Sequence, residues 1–320
     1  MNMRLMATAL VGAMLAAGCG PRNESDSSTG MLKVGIGSGV SNVSLYLAIQ
    51  KGFFTEHGIK VEPYPVTSGS QAFPLLLNGQ LAVTATDPLS AIVAISKGLP
   101  LVIIGQGSAG QTTADNDPTG LIVKSDSPLH GGADFGGKTI GVNALNSLSQ
   151  LGAMAAIDAT GGDSSTVKFL EIPVPSMVAA VEGGQIDGAV TSEPFVSQAK
   201  KRGLRVALYP PTQGLPGTPQ LLFVTSRPYL TQHADSVRAF VAGLDKANAE
   251  LAHDPGEIPR VAATSTKVPA DVLKVMRLPV FTDSGLELGK LYVLQDAMVK
   301  YHMLERSLTM EQYVLSHAGN

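Results

Sequence analysis

The amino-acid sequence predicts an α/β protein of two lobes, each built on an open, mostly parallel sheet, and three observations carry that reading. Short apolar runs rich in β-branched residues alternate with stretches of helical spacing, the pattern of repeated βαβ units. Two turn-rich interruptions divide the alternation, near residues 112 and 217. A chain of 320 residues has room for two hydrophobic cores and would crowd a third.

Taken in order, strands are expected at 32–36, 60–66, 82–85 and 101–104. Between them Leu45, Ala48 and Ile49 recur at helical spacing and Gly52 follows as a stop signal. Further helices are expected at 71–78 and at 89–97, the latter ended by Gly98. Residues 105–120 break the pattern with Gly, Asp, Asn, Thr and Pro, and a new series opens at 121–124 and 139–142. The second break, 209–217, holds three prolines and two glycines in nine residues. After it, 220–225 reads as a strand, and Val237, Phe240, Val241, Leu244, Ala247 and Leu251 mark one face of a long helix. Leu288, Leu291, Tyr292, Met298 and Val299 mark a late one. These breaks assign residues 31–112 and 218–320 to one lobe and 113–217 to the other.

Charge and the amino-terminal leader narrow the functions. With 23 Lys and Arg against 26 Asp and Glu, a net charge of −3, there is no basic stripe to meet phosphates, which excludes nucleic acid as a partner. One cysteine builds neither an internal disulfide nor a Cys-rich metal centre. Residues 1–18 carry one basic residue, Arg4, and an apolar run at 5–17 that is short for a bilayer, so they read as a signal peptide. Cys19 follows the small residues Ala16, Ala17 and Gly18, as in a bacterial lipobox, with Ala16 where Leu is commonest. Cys19 is therefore the expected lipidation site and membrane anchor, and 19–30, almost without apolar side chains, a flexible tether.

Beyond the tether, Leu45-Tyr46-Leu47-Ala48-Ile49-Gln50-Lys51-Gly52-Phe53-Phe54 with Gly58-Ile59, then Gly79-Gln80-Leu81, resemble the first lobe of the substrate-binding proteins of ABC importers for nitrate, sulfonates and taurine. Asp134-Phe135-Gly136-Gly137-Lys138-Thr139-Ile140-Gly141-Val142, Gly184-Gln185-Ile186-Asp187-Gly188-Ala189 and Ser192-Glu193-Pro194-Phe195 continue the resemblance. It implies the type II periplasmic binding protein fold, two lobes joined by two crossover strands and closing on a solute in the cleft between them. It further implies a small sulfonate, nitrate or related oxyanion-bearing solute, a permease and its ATPase as partners, and an extracytoplasmic location. A monomer is expected, with no cofactor, no metal and no catalysis.

A general rule selects candidate residues independently: ligands of open α/β sheets sit beyond the carboxyl ends of the strands, at helix N-termini. After the first strand come Ser38, Ser41 and Asn42, after the second Ser68, Gly69, Ser70 and Gln71, and after the third Thr86 and Asp87. In the second lobe the matching turn carries Asn143, Asn146, Ser147 and Ser149, and Glu193 stands at the return. Ser, Asn and Asp also cap helices for purely structural reasons. The functional reading therefore rests on two lobes aiming hydroxyls and N–H groups into one cleft, with Ser68, Ser70, Asn146 and Ser147 foremost. Tyr46 is placed either to stack on a solute or to pack in the core, whereas Phe53 and Phe54 are packing residues. These loops hold no Lys, Arg or His, but they hold Asp87 and Glu193. An oxyanion would depend on backbone N–H groups and neutral donors, while the two acids suit an alternative solute, a nitrogen heterocycle such as a pyrimidine.

Enzyme readings lack their residues. Gly35-Ile36-Gly37-Ser38-Gly39-Val40 begins as a dinucleotide fingerprint but misses its last glycine, and no phosphate-binding loop, His-Glu-x-x-His or Gly-x-Ser-x-Gly occurs. The six histidines are scattered through polar stretches and read as surface residues. A pyrimidine synthase of thiamine biosynthesis resembles the same fold, but its family carries a Cys-rich motif and no Cys follows Cys19 here.

Overall fold

The computed structural model describes residues 31–37 and 39–315; the leader, Cys19, the tether and Ser38 lie outside the described residues. In β1 (Met31–Ile36), Leu32, Val34 and Ile36 alternate onto one buried face, as period-two patterning requires. It joins β2 (Lys60–Pro65), β3 (Val83–Thr86), β4 (Leu101–Gln106) and β10 (Leu222–Ser226) in a sheet of order β2-β1-β3-β10-β4. The second sheet holds β5 (Thr119–Lys124), β6 (Thr139–Val142), β7 (Lys168–Glu171), β8 (Gly188–Ser192) and β9 (Leu204–Leu208) in the order β7-β6-β8-β5-β9.

Four strands of each sheet run one way and the fifth runs against them. In the first sheet β10 is antiparallel to β3 and β4, and in the second β5 is antiparallel to β8 and β9. The expected mostly parallel character therefore holds for strand direction, although half of the pairings in each sheet are antiparallel. The cause is topological. The chain leaves β4 at the carboxyl ends of the strands and enters the second sheet from that side, which reverses β5; β10 is reversed in the same way on the return.

Helices cover both faces of both sheets. On one face of the first sheet lie α1 (Val43–Gln50), α2 (Phe53–Glu56), α10 (Ala234–His253), α11 (Glu257–Ser265) and α12 (Ala270–Leu273), with α9 (Arg227–Gln232) at the edge. The other face carries α3 (Gly69–Leu77), α4 (Pro88–Ser96) and α13 (Leu288–Lys300). β10 shows the division plainly: Phe223 enters the first cluster, Leu222 and Val224 the second. In the second sheet α5 (Leu148–Ala159) packs on one face, and α6 (Val174–Glu182) and α7 (Phe195–Lys201) on the other. The proline-rich break at 209–217 contains a short helix, α8 (Pro210–Gly214), with its prolines in the first turn where no N–H is needed.

The two segments that cross between the sheets lie side by side. Gly107 N–H donates to Leu221 O at 2.8 Å, Gly110 N–H to Thr218 O at 2.8 Å and Gln220 N–H to Ser108 O at 3.0 Å. A third segment joins them, since Ala109 N–H donates to Val280 O at 2.8 Å. Sequence reasoning did not anticipate this third segment.

The first core is anchored by Phe54 and Phe240, stacked with centroids 5.3 Å apart, and Gly243 one turn along α10 makes room for them. A Cβ added at Gly243 would lie 2.6 Å from Phe54 Cδ1. Gly to Ala in an open helix interior stabilises by about 0.8–1 kcal/mol. Here Gly243→Ala is expected to destabilise the protein by about 1–3 kcal/mol through overpacking, read as a lower midpoint in urea unfolding.

Candidate functional site

Loops of both sheets face one another across a cleft of about 490 Å³. On the first-sheet side, Ser68 caps α3, accepting from Gln71 N–H at 3.4 Å, with Ser70 Oγ 3.2 Å from its own hydroxyl. Gly69 between them is required by close approach, because a Cβ there would lie 2.4 Å from Thr86 Cβ and 2.5 Å from Ala85 O. Asp87 follows β3 and caps α4, whose first residue is Pro88.

Of the residues expected from sequence, Ser41, Asn42, Ser68, Gly69, Ser70, Thr86, Asp87, Asn143, Ser149 and Glu193 line this cleft. Four others do not. Tyr46 is partly buried against the first core, and burial pushes its phenol up. Gln71 is exposed, its N–H spent on Ser68. Asn146 takes the left-handed conformation with φ 52° and donates its backbone N–H to Gln150 Oε1, and Ser147 is buried with its hydroxyl donated to Ala144 O at 2.6 Å.

Three carboxylates stand on the cleft wall, each held by hydrogen bonds. Asp87 Oδ1 accepts from Ser90 N–H at 3.0 Å and from Leu148 N–H at 3.1 Å, while Oδ2 accepts from the Ser90 hydroxyl at 2.5 Å. Leu148 opens α5, so this contact joins the two lobes. Glu193 is buried; Oε2 accepts from Ser197 N–H at 2.9 Å, and Oε1 from the Ser197 hydroxyl at 2.8 Å and Arg277 N–H at 3.2 Å. Asp117 Oδ1 accepts from Thr119 N–H at 2.9 Å, and Oδ2 from Thr212 N–H at 3.0 Å and the Thr212 hydroxyl. Burial pushes the Asp87 and Asp117 carboxyls above the usual carboxylate range, against the pull of these same bonds.

No Lys, Arg or His is among the described residues that line the cleft. Behind the lining stands Arg277, after α12, whose guanidinium donates to Ala114 O at 3.2 Å and Asp117 O at 3.3 Å and lies 4.6 Å from the Tyr209 ring centroid. It grips the crossing region from outside the cleft, and nothing in the local sequence pattern marks it. Asp117, within the turn-rich break at 105–120, and Thr191, near the end of β8, also line the cleft. Asn42 donates Nδ2–H to Gly37 O at 3.0 Å, and its Oδ1, like Thr191 Oγ1, is buried without a hydrogen-bond partner. Among the described residues no group of three or more His, Cys, Asp or Glu is placed to hold a metal ion.

Two five-stranded sheets with one reversed strand each, paired crossing segments and an interlobe cleft define the two-lobed periplasmic binding protein class. Within it the chain belongs to the NMT1/THI5-like family, whose model matches residues 41–258. It is 21% identical over 226 residues to the formylaminopyrimidine-binding protein of Halalkalibacterium halodurans, covering 69% of this chain and 66% of that one. It is 25% identical over 246 residues to the taurine-binding periplasmic protein of Escherichia coli K12, covering 75% and 72%. Among solved structures, the ligand-binding component of an ABC-type import system from Staphylococcus aureus, with zinc bound, superposes with a TM-score of 0.77 at 16% identity, over 89% of this chain and 96% of that one.

The raised Asp117 carboxyl has a measurable consequence. The folded chain keeps that proton over a pH window in which the unfolded chain has released it, so the group's contribution to stability is complete below 3.8 and is lost as pH rises through the folded value. Asp117→Asn removes this contribution. Urea unfolding of both proteins at rising pH is expected to show the wild type losing stability relative to the variant above 3.8, by at most about 1.4 kcal/mol per pH unit.

Proposed function

We propose that the chain is the extracytoplasmic solute-binding component of an ABC importer, anchored by lipid on Cys19, with residues 31–112 and 218–320 as one lobe and 113–217 as the other. It closes on a small polar solute and hands it to a permease driven by an ATPase, making and breaking no bond. The observation that carries this reading is the cleft: loops of both sheets converge on one space, lined by hydroxyls, amides and carboxylates among apolar side chains, beside the paired crossing segments, which can serve as a hinge. The taurine- and formylaminopyrimidine-binding relatives and the ABC-type import structure support it.

Solute contacts are assigned to Ser41, Asn42, Ser68, Gly69, Ser70, Thr86, Asn143, Ser149 and Glu193. For the solute itself the lining favours the nitrogen heterocycle over the sulfonate or nitrate. Three carboxylates and no cation face the space, and an anion would have to be held by neutral donors against all three.

Calorimetry with a panel of pyrimidines, sulfonates and nitrate tests this. A heterocycle is expected to bind, and Glu193→Gln to weaken it by about 1.5–3 kcal/mol, the worth of a charge-assisted hydrogen bond. Tight sulfonate or nitrate binding, left level or improved by Glu193→Gln, would reverse the choice of solute. For the anchor, radiolabelled palmitate is expected in the wild-type protein and absent from Cys19→Ala; label persisting in the variant would count against lipidation.

A further inference from the structure

One carboxylate in the cleft caps two helices that belong to different lobes. α5 has twelve residues but no side-chain cap of its own, because the hydroxyl of its N-cap residue, Ser147, turns away to Ala144 O. The missing cap is supplied from across the cleft by Asp87, whose Oδ1 accepts Leu148 N–H at 3.1 Å while the same side chain holds the N-terminus of α4 through Ser90. A helix N-terminus carries about half a positive charge and unpaired N–H donors, which is what an oxyanion seeks.

We propose that Asp87 fills, from the first lobe, the anion seat offered by the N-terminus of α5 in the second, so that it fastens the lobes together and denies the seat to an oxyanion-bearing solute. The denial rests on the solute-binding reading above; the fastening does not. Residues beside the contact fit the proposal. Leu148 is buried, and it shares an apolar cluster with Leu89 of α4, so the two N-termini are held face to face. Ser149, next along α5, lines the cleft, so the seat opens onto the solute space.

Two variants separate the parts. Asp87→Ser keeps a capping hydroxyl for α4 but is too short to reach Leu148. Leu148→Pro keeps Asp87 and removes only the donated N–H and the leucine side chain; proline is accepted at a first helical position, and Ser147 before it is already extended, with φ −116° and ψ 166°.

Small-angle scattering without solute is expected to show both variants with a larger radius than the wild type, against roughly 20 Å for a compact chain of this size. Calorimetry with inorganic sulfate is expected to show Asp87→Ser binding at least about tenfold more tightly than wild type, and Leu148→Pro no more tightly. Both variants at the wild-type radius would overturn the fastening, and unchanged sulfate affinity in Asp87→Ser would overturn the seat. Circular dichroism reports whether each variant folds; Asp87→Gly, a tolerated cap residue with no side chain to reach Leu148, carries the sulfate measurement if Asp87→Ser does not. A wild type that binds no solute of the panel would sink the transport reading and leave the radius and sulfate results to decide this proposal on their own.

Discussion

The pairing of the crossing segments is the constraint on which the rest of the molecule depends. Backbone groups of 107–110 and 218–221 satisfy one another across the junction, with Val280 joining from a third stretch of chain. Because the crossings leave and enter at the carboxyl ends of the strands, each sheet receives one strand running against the others, and the loops after β1, β2, β3, β6 and β8 are turned toward the other lobe. The cleft is thus a product of connectivity before it is a product of side-chain chemistry. Arg277 reinforces the junction by holding Ala114 and Asp117 carbonyls and lying on Tyr209.

Polarity within the cleft follows from how its acids are used. Asp87, Asp117 and Glu193 each receive three hydrogen bonds from nearby N–H and O–H groups, and the charges of Arg277 behind Asp117 and Lys200 near Glu193 add to them, which lets carboxylates persist in a wall that no cation lines. They act first as structural caps and clasps and only with their remaining lone pairs as acceptors. Their charge still shapes the space, since it sets the sign of the field that any solute meets.

Much of the fold was legible because its punctuation is local. Gly52 and Gly98, at φ 75° and 84°, end helices as a left-handed position demands, and Asp87-Pro88 reads correctly as a helix start. The five described histidines are all exposed, and Phe53 and Phe54 are core residues. The site was legible only in part, because a capping hydroxyl looks the same in sequence whether it faces the cleft or its own turn. Ser68 and Ser147 show both outcomes, the first on the cleft wall and the second buried against Ala144. Arg277 and Val280 gave no signal, since irregular segments have no period and their partners lie over a hundred residues away.

The apolar cluster between the lobes has a thermal consequence. Leu148, Leu151, Ala155 and Leu215 of the second lobe are buried with Leu89, Leu291 and Leu294 of the first. In the closing motion proposed for this chain, parting the lobes would hand these side chains to water, which raises heat capacity and makes closure chiefly entropic near room temperature. Such an association weakens on cooling, so the balance between shut and parted forms moves with temperature even where every polar contact is unchanged.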